Sequence, residues 1–178
     1  MDNNPTPLRI RLYGDPVLRQ KALPVLEITK PERQLAEDML ATMYAVPNGV
    51  GLAAPQVGVL KRVIVVDIDR NKPERTPLAL FNPELEHVEG EVVGEEGCLS
   101  FPDMTAEVKR AANIIVSGQD IEGAEIRLEA DGLLARVLQH EIDHLNGVLF
   151  IDHIGPLKRR ALWWKLRRLR RRAQELSG

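Results

Sequence analysis

The sequence predicts an α+β fold on three observations: an amphipathic helix near the start, a central stretch of short β-rich runs, and two further helical patterns toward the end. Its 178 residues suit one domain. With 44% hydrophobic and 28% charged residues the chain lies in the ordinary globular range, which excludes global disorder and collagen-like architecture. The single cysteine, Cys98, forms no intrachain disulfide, so a disulfide-stapled scaffold is excluded and a reducing compartment fits. No apolar run reaches the roughly eighteen residues of a membrane-spanning helix. Met1-Asp2-Asn3-Asn4-Pro5 carries neither a secretory nor a transit pattern, so a cytoplasmic location is expected.

The first helix is expected over 31–45. Thr29 and Glu32 have capping-box spacing, Pro31 suits the first turn, and Leu35, Met39, Leu40 and Met43 form an apolar stripe. Pro47-Asn48-Gly49 stops it. Short β-rich runs follow at 62–68, 78–82, 88–93, 113–117 and 125–128, broken by Gly, Pro and Asn, and they read as antiparallel sheet. A second helix, 132–145, is apolar around most of its circumference and is expected to be largely buried, with Asp131 as N-cap and Gly147 beyond its end. A third, 156–176, aligns Leu162, Leu166, Leu169, Ala173 and Leu176 on one face. One body, residues 1–156, and one terminal helix, 157–178, form the simplest division.

Charge is unevenly spread. Lys158, Arg159, Arg160, Lys165, Arg167, Arg168, Arg170, Arg171 and Arg172 fall within fifteen residues that contain no acid. Removing those nine cations from the net charge of −2 leaves −11 for the rest. An acidic body joined to a basic, amphipathic tail points to a polyanionic partner.

The strongest local motif is His140-Glu141-Ile142-Asp143-His144, an H-E-x-x-H on the expected buried helix, where residues four apart share a face and both imidazoles can reach one metal. A hydrolytic centre needs a third protein ligand and an open position for water. Phe150 stands where a metzincin would place its third histidine. Cys98, in an expected irregular connection between Gly94 and Pro102, offers sulfur, although a lone cysteine is more often a small buried apolar residue. His153, nine residues beyond His144, is the alternative expected of a zinc peptidase. A third possibility is a non-catalytic RNA-binding module, which explains the tail but not the acidic body.

Three segments together resemble the peptide deformylase family: Gly49-Val50-Gly51-Leu52-Ala53-Ala54-Pro55-Gln56-Val57-Gly58, Glu96-Gly97-Cys98-Leu99-Ser100, and Gln139-His140-Glu141-Ile142-Asp143-His144. Gly14-Asp15-Pro16-Val17-Leu18-Arg19 and Gly147-Val148-Leu149-Phe150-Ile151-Asp152 extend the likeness over most of the chain. The resemblance implies antiparallel sheets surrounding a central helix that carries the motif. It implies hydrolysis of the N-formyl group of the initiator methionine of new polypeptides, with release of formate. One divalent metal ion per chain is implied, ferrous iron as the native ion and zinc, nickel or cobalt as substitutes. Cys98, His140 and His144 are the implied ligands and Glu141 the acid/base, while Gln56 and the backbone N–H of Leu99 stabilise the oxyanion. Gly51 is implied to touch the substrate backbone.

The chemistry of the donor set agrees, because a thiolate and two neutral imidazoles leave a divalent ion a net positive charge that acidifies water. Val50, Leu133 and Val137 are reasonable lining for an unbranched methionine side chain, the last two standing one and two turns before His140. Thr105 departs from the Arg or aromatic residue common in the family near the substrate channel. Asp143 carries no assigned role. The expected partners are N-formylmethionyl nascent peptides and, through the basic helix with Trp163 and Trp164, the ribosome. Neither a membrane nor DNA is an expected partner.

Overall fold

The computed structural model describes residues 4–177. Helix α1, Lys30–Ala45, begins where the capping-box spacing places it: Glu32 Oε2 accepts from the Thr29 backbone N–H at 3.1 Å and also from its hydroxyl. Lys61 Nζ meets the other Glu32 oxygen at 2.6 Å. Strands β1 (Gly51–Ala53), β2 (Val63–Val66), β3 (Leu78–Glu89), β6 (Asn113–Gln119) and β7 (Glu125–Asp131) form one antiparallel sheet in the order β1-β2-β3-β6-β7. Strands β4 (Val92–Cys98) and β5 (Phe101–Arg110) form a separate antiparallel hairpin.

Helix α2, Gly132–Leu145, lies on the five-stranded sheet and buries ten of its residues, as its apolar circumference predicts. Side chains alternate across a strand. Ile64 and Val66 of β2 therefore pack with Leu138, Ile142 and Leu145 of α2, while Val63 and Val65 pack with Met39 and Met43 of α1. All four β2 residues are buried, and the strand reads as a continuous apolar run because it is covered on both faces. A second core joins the hairpin to the C-terminal segment through Phe101, Val108, Phe150, Leu166 and Leu169.

The structure corrects three expectations and places Asp131 as the N-cap where it was expected. The runs 78–82 and 88–93 are not two strands: β3 continues through Asn82-Pro83 by a bulge, and the chain turns at Gly90 (φ 69) into β4. Asn82 adopts φ 51, and its side chain pairs with the Val25 backbone in both directions, at 2.7 and 2.8 Å. The segment from Gly94 to Pro102, expected to be irregular, is a hairpin with Leu99 and Ser100 as its turn. Asp131 occupies the N-cap position of α2 but makes no side-chain cap bond. The terminal helix is two, α3 (Pro156–Ala161) and α4 (Trp163–Ser177), meeting at Leu162; Leu166, Leu169 and Ala173 are buried, whereas Leu176 is exposed. Among the described residues no helix is long and apolar enough to cross a membrane.

Candidate metal centre

The β4–β5 hairpin brings its turn onto α2. Cys98 ends β4, His140 and His144 stand one turn apart on α2, and their ligand atoms all lie within 4.8 Å of one another. Cys98 Sγ is 3.3 Å from His144 Nε2. Both imidazoles are buried. His140 Nδ1 is taken by Glu96 Oε2 at 2.9 Å, which leaves Nε2 for the cluster. His153 is not part of it: its Nε2 faces Asp143 Oδ2 at 2.7 Å and Arg110 Nη1 at 3.3 Å, so the peptidase ligand set does not assemble.

Glu141 is buried beside the cluster, and its Oε2 has no hydrogen-bond partner. In the metal-free chain burial pushes this carboxyl up to about 7. Burial and the charge of His140 hold His144 well below the ordinary imidazole value, which favours the neutral form that ligates. Burial also opposes charge on His140, but hydrogen bonds to Cys98 and Glu96 outweigh it and raise that imidazole.

A cavity of about 610 Å³ opens over the cluster. Cys98, His140 and Glu141 line it, as do the expected peptide-side residues Val50, Gly51 and Val137. Leu133 lies at the exposed rim, Leu99 contributes from the hairpin turn, and Thr105 also lines the space. A Cβ on Gly51 would stand 2.5 Å from Glu141 Oε1 and 2.7 Å from Val137 Cγ1, so only glycine admits this approach. Gln56 is fully buried behind the hairpin turn. Its Oε1 accepts from the Ala53 N–H at 2.9 Å, and its Nε2 donates to Ser100 Oγ at 3.1 Å and toward Cys98 Sγ at 3.5 Å.

Sequence reasoning missed the ionic network under the cluster. Glu96 accepts from Arg110 Nε at 2.8 Å and Nη2 at 3.0 Å, from Arg136 Nη1 at 2.9 Å, and holds His140. Burial disfavours its charge, yet the bonds from His140 and Arg110 prevail and hold the carboxyl at about 2. Asp143, left without a role by its sequence, accepts from Arg110 Nη1 at 2.6 Å. The available signal was the alternation of β5, in which Phe101, Met104, Val108 and Arg110 face inward; Pro102 and Asp103 concealed it.

An α+β fold that sets a half-buried Cys98 against two buried imidazoles, beside a buried glutamate with one unpartnered oxygen, at the floor of a cavity has the form of a hydrolase with a candidate metal site. The chain belongs to the polypeptide deformylase family, whose model matches residues 7–160. It is similar to the peptide deformylase of Thermodesulfovibrio yellowstonii, with 53% identity over 152 residues, 85% of this chain and 92% of that protein. It also matches that of Rhizobium meliloti, with 55% identity over 149 residues, 83% and 85% of the two chains. Among solved structures, the Thermus thermophilus peptide deformylase superposes with a TM-score of 0.85 at 46% identity, covering 93% of this chain and 99% of that one. A Synechococcus elongatus peptide deformylase in complex with actinonin gives 0.85 at 44% identity, covering 93% and 90%. The chain is thus an enzyme of this family.

Proposed function

We propose that the protein removes the N-formyl group from N-formylmethionine at the start of newly made polypeptides, in the cytoplasm, using one divalent metal ion held by Cys98, His140 and His144. The observation that carries this reading is the convergence of these three ligand atoms beside the buried Glu141, in a chain of this family. The ion supplies Lewis acidity that makes water a nucleophile near neutral pH. Ferrous iron is the native ion in this reading, with zinc, nickel or cobalt as substitutes, all acceptable to a sulfur and two nitrogens.

Glu141 takes a proton as the water oxygen bonds to the formyl carbon, then gives a proton to the amine as the carbon–nitrogen bond breaks and formate leaves. The Gln56 amide and the Leu99 N–H donate to the formyl oxygen as negative charge builds there. Gly51 leaves room for the substrate backbone, and Val50, Leu133 and Val137 receive the methionine side chain. Formate release from an N-formylmethionyl peptide by anaerobically purified protein tests the reading. With iron bound the rate should fade in air as the metal or the Cys98 thiolate oxidises, and with zinc it should be lower but stable. Equal, air-stable rates contradict the assignment of iron.

We assign residues 1–156 to the catalytic body and 157–178 to a basic extension that meets the ribosome. Of its cations only Lys158 pairs with a carboxylate among the described residues, Glu107 at 2.8 Å, and Trp163 and Trp164 are exposed. Co-sedimentation with ribosomes should fall steeply as salt rises. Salt-independent sedimentation, or none at low salt, would sink the assignment.

A further inference from the structure

Residues 46–50 line the cavity as they carry the chain from α1 into β1, yet they belong to no helix or strand. Asn48 adopts φ 61, the left-handed region that asparagine enters more readily than most non-glycine residues and that suits the Pro47-Asn48-Gly49 turn. The last carbonyls of α1 need donors, and the last turn of α1 contains no basic residue. The Val46 and Gly49 N–H groups reach Met43 O at 3.3 Å and Val46 O at 3.2 Å, and one side chain from the segment after β2 adds donors to these carbonyls and to those of Tyr44 and Gly49. Arg70 Nη1 donates to Gly49 O at 2.6 Å, Val46 O at 3.0 Å and Met43 O at 3.4 Å, and Nη2 donates to Tyr44 O at 3.1 Å.

Arg70 forms no ion pair among the described residues; its guanidinium carbon lies 5.5 Å from the centre of the Tyr44 ring. The hydroxyl of Tyr44 donates to Asp67 at 2.6 Å, and the Asp67 backbone N–H donates to Val50 O at 2.9 Å. The cavity wall is therefore pinned at Val46 and Gly49 by Arg70 and at Val50 by Asp67.

We propose that Arg70 is a positioning residue for the peptide substrate, holding the 46–50 wall in the shape that accepts it without touching the metal ligands or Glu141. The inference rests on the deformylase reading of the cavity. A wall released from its carbonyl contacts has to be ordered again at each binding event, a cost that falls on binding in ground state and transition state alike. Such a loss raises KM and leaves kcat in place.

The test is steady-state formate release by the metal-loaded full chain with Arg70→Met, which removes every donor at similar length, and Arg70→Lys, which keeps the charge on one nitrogen. KM should rise about tenfold in Arg70→Met and less in Arg70→Lys, with kcat within about twofold of the parent. Amide exchange should quicken over 46–50 and stay unchanged over 140–144. A KM within about twofold of the parent in a folded Arg70→Met overturns the proposal, as does a kcat that falls while KM holds. If Arg70→Met fails to fold, Arg70→Lys decides by the same criteria; failure of both to fold makes Arg70 a global structural residue and overturns it too. A parent protein that releases no formate would instead refute the deformylase reading of the cavity.

Discussion

Glu141→Gln is expected to lower kcat for formate release by about 10²- to 10⁴-fold, the range for loss of a positioned acid/base, while fold and metal content stay intact. The amide has nearly the shape of the carboxyl but cannot take a proton from water and return it to the amine. Its site is buried, one oxygen has no partner, and burial is the largest cause of a carboxyl raised to about 7; no ion pair of Glu141 is found among the described residues, so none is broken by the change. Kinetics and metal analysis on one preparation check this. A variant with near-normal kcat would remove Glu141 from the chemistry, and a variant stripped of metal would make it a structural support of the cluster.

Glu96→Ala should give the largest loss of stability. It leaves Arg136 and one side of the Arg110 guanidinium buried without their carboxylate, a change that costs about 3–5 kcal/mol for a broken buried pair. In a chain of this size that lowers Tm by roughly 10 °C, measurable by thermal unfolding. His140 also loses the acceptor of its Nδ1–H, so metal affinity should fall by about 10- to 100-fold. A Tm within about 2 °C of the parent would show that the network contributes specificity of fold rather than stability.

What the sequence revealed follows from how local each signal is. Helix α1 was legible because Thr29, Glu32 and the Leu35-Met39-Met43 stripe are encoded within one segment. Helix α2 and its two imidazoles were legible for the same reason, since spacing by four fixes a shared face. Cys98 as their neighbour was not: the contact spans more than forty residues and depends on a hairpin hidden by Pro102 and Asp103, so the family resemblance, not periodicity, supplied it. Strand β3 was cut at Asn82-Pro83 because a bulge that preserves the strand looks, residue by residue, like a turn. Glu96, Arg110 and Arg136 were invisible as a unit because each is an ordinary charged residue until folding removes water from all three.

The measurement to make first is metal content and formate release, side by side, for the parent chain, Cys98→Ala and His153→Ala. The parent should hold about one ion and be active, as one complete set of three protein ligands requires. Cys98→Ala should lose both metal and activity, and His153→Ala, whose imidazole faces Asp143 and Arg110, should keep both. Retention by Cys98→Ala together with loss by His153→Ala would contradict the Cys98, His140 and His144 centre on which the whole mechanism rests.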